Sequence, residues 1–367
     1  MRHRNGGSPR SSLDTHPLMT SPDAAAPGGP QQARPLRNVL KRFEQPDRVR
    51  STVQIVTSFG GFVALCAAMY LLAGVSLWLA LLLTPLAAFF VVRVFIIQHD
   101  CGHRAFFRSH RANDLLGMVC SMVTLTPYAG WRRQHAQHHG TWNNLDRRAS
   151  GADIYSTCLT LEEYRALSTW QRRWYRLSRH PLVANVLIPP FVFLGLYRLP
   201  FDMPEGWESE RRNVYLTNLA LVVLYGGLAF VLGAAEVATI QLTVIAGAAI
   251  VGVWLFSVQH RFEGVSWARQ DRWNFQDAAL EGSSYLRLPP VLRWLTGNIG
   301  LHHLHHLNPR IPNYALQDCQ DSVTDLIATR TIGFFDALRA TRLALWDETN
   351  EAMITFATAR RRLVTVS

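Results

Sequence analysis

The sequence predicts an all-α integral membrane protein, with four transmembrane helices in two hairpins, additional interfacial helices and a helical cytoplasmic cap that holds a metal site. Three observations carry this prediction: two long apolar segments, basic charge outside the turns that divide them, and histidines at helical spacing. The 367-residue chain is 49% hydrophobic and 17% charged, whereas about a quarter of the residues in ordinary soluble domains are charged. This apolar content excludes a chain that is disordered throughout.

The first apolar segment, residues 52–98, predicts a pair of membrane-spanning helices. Arg93 is its only charged residue, and Gly74 marks a break near its middle. Because a spanning helix needs about 20 residues, we expect spans at about 53–73 and 76–98.

The second apolar segment, residues 214–258, divides in the same way. Glu236 is its only charged residue, and the break falls at Gly233–Glu236, which predicts spans at about 214–233 and 237–258. A large soluble helical core is the alternative interpretation. Two segments of this length with one charge each disfavour it.

The rest of the chain divides around these hairpins. Residues 1–35 are rich in Pro, Gly, Ser and Gln and predict a disordered tail. Residues 36–345 form the predicted functional domain, and 346–367 a C-terminal tail. The apolar segments 115–130 and 182–199 are short and interrupted by proline, so we expect interfacial or half-buried helices there.

The net charge is +11, and the positions of the basic residues indicate how the protein is oriented in the membrane. The two short hairpin turns contain no basic residue, while the N-terminal segment, the loop 100–212 and the segment after residue 260 contain almost all of them. Because basic residues are retained on the cytoplasmic side, we expect both termini and that loop to be cytoplasmic. The charge therefore requires no nucleic-acid partner.

Histidine is the most informative residue type. Of the 14 histidines, ten fall at four places on the predicted cytoplasmic side: HDCGH at 99–103, HAQHH at 135–139, QH at 259–260 and HHLHH at 302–306. Residues three and four apart share a helix face, so each of the motifs at 99–103, 135–139 and 302–306 directs two or three imidazoles toward one point.

The histidine motifs predict a metal site. Neutral imidazole binds zinc, copper, iron and nickel. The five cysteines are scattered and include no CxxC pair, which excludes both a disulfide scaffold and a thiolate metal module. Eight or nine imidazoles exceed what one ion uses, and this number favours two ions.

The motif residues resemble membrane fatty-acid desaturases, most closely the bacterial and plant-type acyl-lipid branch. The resemblance rests on HDCGH followed by Arg104–Phe107, on HAQHH, and on Gly297–Tyr314, which includes HHLHH. Gln259–Glu263 and Glu281–Tyr285 also match. It covers roughly residues 40–340.

The resemblance implies a non-haem diiron enzyme that uses O2 and two electrons to insert a cis double bond into a fatty-acyl chain. No catalytic residue is implied apart from the metal ligands. Phe256 stands where the acyl-CoA branch has an Asn, and this difference leaves one coordination position of the second iron open. His303, Asn298 and Asp100 are candidates for an additional metal ligand or for a residue that hydrogen-bonds to a ligand. The implied iron ligands are His99, His103, His135, His138, His139, His260, His302, His305 and His306.

The implied partners are an acyl lipid in the membrane and an external electron donor such as ferredoxin, because the chain contains no cytochrome b5-like His-Pro-Gly-Gly motif. The expected location is a bacterial inner membrane with the active site on the cytoplasmic side. HDCGH favours a Δ12-like double-bond position, which the motif does not fix.

Two other functions remain open from the sequence. A hydroxylase or related oxygenase can use the same metal scaffold, because both reactions begin with hydrogen abstraction. A metal-binding or metal-transport membrane protein is the second alternative. Transport requires ionisable residues at mid-membrane depth, and the predicted spans contain almost none.

Overall fold

The structure, a computed structural model, describes residues 30–148, 155 and 157–364, and most of these residues are helical. The helices of the N-terminal half are α1 (Pro30–Lys41), α2 (Arg48–Ala73), α3 (Leu77–Leu81), α4 (Thr84–Gly102), α5 (His110–Thr124), α6 (Tyr128–Thr141), α7 (Leu161–Ala166) and α8 (Thr169–Ser178). Those of the C-terminal half are α9 (Ile188–Leu194), α10 (Glu208–Leu232), α11 (Ala234–His260), α12 (Phe275–Glu281), α13 (Pro290–Leu295), α14 (His302–Leu307), α15 (Leu316–Val323), α16 (Phe334–Ala340) and α17 (Phe356–Val364).

Five short strands form two small sheets. The strands are β1 (Leu159–Thr160), β2 (Tyr285–Leu286), β3 (Thr331–Ile332), β4 (Leu345–Asp347) and β5 (Ala352–Ile354). In one sheet β4 lies between β1, which is parallel to it, and β5, which is antiparallel; in the other, β2 and β3 are parallel.

Four described helices, α2, α4, α10 and α11, are long and apolar enough to cross a membrane, or five if the bent pair of α8 and residues 183–198 counts as one span. Of the residues in the most apolar part of each helix, 67% are buried in α4 and 44% in α11, but only 22% in α2 and 17% in α10. Therefore α4 and α11 form the centre of the bundle, and α2 and α10 present apolar faces to its surroundings.

The second predicted span differs most from the structure. Instead of one helix over 76–98, the short helix α3 ends at Leu81 and α4 begins at Thr84. Pro85 explains the break, because its ring clashes with the carbonyl of the residue four positions earlier. The helix then continues past 98 to Gly102, which places the HDCGH motif at its C-terminal end.

The two short apolar segments are helical but interrupted. In 115–130, α5 ends at Thr124, the next residue, Leu125, is left-handed (φ 56°), and α6 begins after Pro127. In 182–199, a π-helical turn, Val183–Leu187, leads into α9 and a short 3-10 turn. This assembly is bent by 57° relative to α8.

Both ends of the described chain are more structured than the sequence indicates. Residues 1–29 of the predicted tail lie outside the described residues, but α1 begins at Pro30, within that tail. Leu40 packs in a cluster with Leu304 of the third histidine motif and with Leu301, which precedes that motif. The predicted C-terminal tail contains most of β4 and all of β5 and α17, because Trp346 and its neighbours are buried against the domain.

A close contact between α5 and α6 generates the first prediction. Gly117 is buried, and a side chain there would overlap the ring of Tyr128, whose hydroxyl donates to the carbonyl oxygen of Cys101 at 2.9 Å. Gly117→Val should destabilise the protein by about 1–3 kcal/mol through overpacking, measured as a lower apparent Tm of the detergent-solubilised protein. Gly60→Val is the control, because nothing lies within 4 Å of that position. An equal loss of stability in both variants would show that the α5–α6 contact is not tightly packed.

Candidate metal centre

The histidine motifs lie at the ends of four helices that meet at one place. His99 lies in the last turn of α4, with His103 immediately after it, and His260 is the last residue of α11. The other two motifs lie on α6 and α14. Eight of the nine predicted ligands are buried, and His103 is half-buried.

The imidazoles form two clusters. One contains His99, His103, His135, His139 and His305, and the other contains His138, His260 and His306; in each cluster the candidate ligand atoms lie within 4.8 Å of one another. His302 joins the second cluster, because its Nε2 lies 2.9 Å from Nε2 of His260 and 3.1 Å from Nε2 of His306.

The two clusters adjoin each other. Nε2 of His139 lies 3.0 Å from Nε2 of His305 in the first cluster, and the ring of His139 stacks on that of His306 in the second, with centroids 4.2 Å apart. Adjacent histidines in a motif belong to different clusters: His139 and His305 are in the first cluster, whereas His138 and His306 are in the second. Each motif on α6 and α14 therefore contributes to both halves of a double site.

Burial keeps these imidazoles neutral. It lowers the pKa of His135, His139 and His305 well below the usual range, and the neighbouring imidazoles lower these pKa values further. The pKa values of His302 and His306 fall for the same two reasons. A neutral imidazole keeps one nitrogen lone pair available for a metal ion.

The nitrogen positions fit metal binding. Within the described residues, the buried Nε2 of His103 has no hydrogen-bond partner. In the second cluster, Nε2 of His260 lies 3.2 Å from Nε2 of both His138 and His306. Two nitrogen ligands at about 2.1 Å from one ion lie about 3 Å apart when the angle between them is near 90°. The imidazoles are thus spaced to share metal ions of the kind that nitrogen ligands bind.

Asp100 supports the first cluster from outside. Its Oδ1 lies 3.3 Å from Nδ1 of His99, and its Oδ2 accepts from the backbone N (2.7 Å) and Nδ2 (2.8 Å) of Asn313. The Asn313 side chain exchanges two hydrogen bonds with Gln54 of α2, at 3.0 and 3.1 Å. A carboxylate on the second ring nitrogen fixes the tautomer and orientation of a metal-binding histidine.

Two of the other candidate residues have different roles. His303 lies outside both clusters: its Nε2 is 2.9 Å from Oε1 of Gln320, and burial lowers its pKa to about 4. Asn298 donates from Nδ2 to the backbone carbonyl of Asn313 at 3.0 Å, so its side chain holds the turn before α14. Gly297 (φ 55°) and Asn298 (φ 56°) are both left-handed in this turn.

Aromatic side chains pack directly on the imidazoles, a role that the sequence analysis missed. Trp131 stacks on His135 at 4.7 Å, and the ring of Trp142, which is 1% exposed, lies 4.2 Å from that of His306. Phe256 lies 5.0 Å from His138. The sequence spacing indicates this contact for the two tryptophans: Trp131 is four residues before His135, and Trp142 is three residues after His139, so each is about one helical turn from a motif histidine.

Comparisons with known proteins agree with the histidine pattern. A family model described as "Fatty acid desaturase" matches residues 76–336. The chain is 40% identical over 321 residues to a fatty acid desaturase of Bacillus subtilis, covering 88% of this chain and 90% of the relative. It is 26% identical to the sn-1 oleoyl-lipid 12-desaturase of Picosynechococcus, with 71% and 74% of the two chains covered. It is also 26% identical to the sn-1 acyl-lipid omega-3 desaturase (ferredoxin) of Synechocystis, with 64% of each chain covered.

The cluster geometry predicts different effects for two histidines of one helix. His305→Ala should lower the metal bound per purified chain, because His305 belongs to the five-imidazole cluster. His303→Gln should leave the metal content unchanged, because His303 bonds to Gln320 instead. Metal analysis by mass spectrometry after dialysis against a chelator measures both. Equal metal loss from the two variants would contradict the division of α14 into ligand and non-ligand faces.

The carboxylate behind His99 generates a further prediction. Asp100→Asn keeps the side-chain shape but removes the charge, and it should weaken metal binding about 10- to 100-fold. Chelator competition on the purified protein measures the affinity. Asp336→Asn is the control, because Asp336 is exposed on α16 and pairs with Arg339. If Asp100→Asn bound the metal with unchanged affinity, the prediction would be wrong, and the Asp100 carboxylate would contribute only to packing.

Proposed function

The chain belongs to the fatty acid desaturase family, and from this premise we propose that it inserts a cis double bond, at a Δ12-like position, into an acyl chain of a membrane lipid. The observation that carries the proposal is the pair of adjacent, buried imidazole clusters at the ends of helices that can span a membrane. A relative named as an oleoyl-lipid 12-desaturase supports the double-bond position.

We infer that the two clusters hold two iron ions. His99, His103, His135, His139 and His305 would bind one ion, and His138, His260, His302 and His306 the other. When bound, the irons would supply the activation of O2 needed to remove two hydrogen atoms from unactivated methylene carbons. In the net reaction, O2, two electrons and two protons join these two hydrogen atoms to form two water molecules, and the saturated C–C bond becomes a double bond.

The protein's own residues would orient the metal ligands and exclude water from the site. Asp100 holds the His99 ring through Nδ1, with Asn313 and Gln54 behind it. Trp142 and Phe256 cover the second cluster with apolar rings. These contacts keep the ligands oriented and limit the access of water to the reacting carbons, which supports productive use of the electrons.

For the membrane arrangement we propose four spans in two hairpins, formed by α2 with α3 and α4, and by α10 with α11. The remaining helices would form interfacial elements and a cap on the cytoplasmic side, together with both termini. The distribution of basic residues supports this orientation, and the bacterial relatives support a bacterial inner membrane. A lipid in the cytoplasmic leaflet would then lie close to the helix ends that carry the predicted ligands.

The electrons would come from a separate soluble donor on the cytoplasmic side. Relatives named as ferredoxin-dependent acyl-lipid desaturases support a ferredoxin. The basic charge of the segments assigned to the cytoplasm is compatible with an acidic protein of this kind.

The proposed function predicts a new dienoic fatty acid. Expression in a bacterial host that makes monounsaturated but no polyunsaturated lipids should produce a second cis double bond at the twelfth carbon of oleoyl chains. Gas chromatography with double-bond localisation by mass spectrometry measures it. His306→Ala should abolish the product, because His306 belongs to the second cluster, whereas His303→Gln should retain it.

Three outcomes would contradict the proposal. A hydroxy fatty acid without a new alkene would identify a hydroxylase. A double bond elsewhere would reject the Δ12-like position while retaining desaturation. Cellular metal uptake that depends on His306, without any change in the fatty acids, would identify metal transport.

A further inference from the structure

A second candidate site lies where α8, the π-helical turn and α9 meet the end of α11, which carries His260 of the second imidazole cluster. It is a cavity of about 180 Å³. The described residues that line it with polar side chains are Tyr155, Ser178, Arg179, Ser257 and Arg261, and Ala184 and Ile188 add an apolar wall. Among these described lining residues, the two charged side chains are both cations.

Arg261 is the central observation. It is 3% exposed, and its Nε and Nη2 both donate to the hydroxyl of Ser257, one turn earlier on α11. Across residues 30–148, 155 and 157–364, no carboxylate forms an ion pair with it. A buried guanidinium is costly unless an anion accompanies it, so the cavity is built to receive negative charge.

The neighbouring groups point to the same ligand chemistry. The hydroxyl of Tyr155 is buried and, within the described residues, has no hydrogen-bond partner. Arg179 lines the same cavity and donates to the hydroxyl of Thr157 at 3.5 Å. The guanidinium of Arg261 and the phenol of Tyr155 together form a donor set that matches the oxygens of a phosphate.

In the membrane arrangement proposed above, the cavity would lie at the depth of lipid head groups. Arg261 directly follows α11, a helix able to span a membrane, so it lies where such a span leaves the apolar layer. On α8, Trp170 is 63% exposed and Trp174 is 53% exposed. Exposed tryptophans are typical of the membrane–water interface.

We propose that this cavity binds the phosphate diester of a membrane phospholipid, and that the bound lipid is the substrate whose acyl chain is desaturated. This inference rests on the proposed function and names the substrate class for it. Arg261 follows the ligand His260 in the chain, so a phosphate held there fixes the head group close to the metal clusters. The distance from the phosphate to the clusters then determines which carbons of the acyl chain reach them.

Equilibrium binding to the full-length, metal-loaded protein in detergent tests the site without requiring turnover. The probes are dioctanoyl phosphatidylglycerol, the neutral dioctanoylglycerol and inorganic phosphate, measured by isothermal titration calorimetry. Arg261→Gln should weaken binding of the phospholipid about tenfold or more, because the charged hydrogen-bond donor to the phosphate is lost. It should leave binding of the neutral lipid unchanged.

Two further variants separate binding from folding. Tyr155→Phe retains the ring and loses only the hydroxyl, and it should weaken phospholipid binding several-fold with unchanged metal content. Arg339→Gln is the matched control, because the Arg339 side chain is 80% exposed on α16, and it should bind all three probes like the wild type.

Desaturation in vesicles provides the second measurement. The wild type should desaturate the acyl chains of phosphatidylglycerol at a lower KM than those of a neutral diacyl lipid, and Arg261→Gln should lose this preference. If the wild type desaturates no lipid, the proposed function fails, while the calorimetric result still decides whether the cavity binds phospholipid.

Three results would overturn the inference. The first is phospholipid binding that is equal in the wild type, Arg261→Gln and Tyr155→Phe. The second is an equal loss of phospholipid and neutral-lipid binding in Arg261→Gln, which would indicate a structural role for this residue. The third is inorganic phosphate binding as tightly as the phospholipid and displacing it, which would identify free phosphate as the ligand.

Discussion

The crowding of neutral imidazole nitrogens in a buried space is the constraint on which the rest of the structure depends. Nine histidines from four helix ends converge there, and several of their Nε2 atoms lie about 3 Å apart. An imidazole pair at that distance needs a shared proton or a shared metal ion. A shared metal satisfies many such pairs at once, and this explains why so many polar groups are tolerated in the interior of an apolar bundle.

The fold satisfies this constraint by bringing the histidine-bearing ends of four helices together. The central helices α4 and α11 each carry clustered histidines at the C-terminal end, while α6 and α14 contribute histidines to both clusters. Outer contacts fix the rings: Asp100 and Asn313 behind His99, and Trp142 against His306. The same end of α11 carries Arg261, so one helix terminus links the imidazole clusters to the cavity that we assign to the lipid phosphate.

The sequence predicts those features that depend on residues close together in the chain. Apolar length identified the four helices able to span a membrane, and the spacing of three and four residues placed each histidine motif on one region of a helix. The separation of His138 from His139 was not predictable in the same way, because it depends on where α14 lies relative to α6. The packing of Trp142 on His306 and the pairing of β4 with β1 also join distant segments. The break before α4 has a local cause in Pro85 that the hydropathy pattern alone did not reveal.

An anomalous difference map collected at the iron absorption edge from crystals of the iron-loaded protein tests the central claim most directly. We predict two separate peaks, one within coordination distance of Nε2 of His103, His135 and His305, the other within coordination distance of Nε2 of His138, His260 and His302. A single peak shared by all the imidazoles, or a second peak away from His260, would contradict a double site formed by alternate histidines of the same helices.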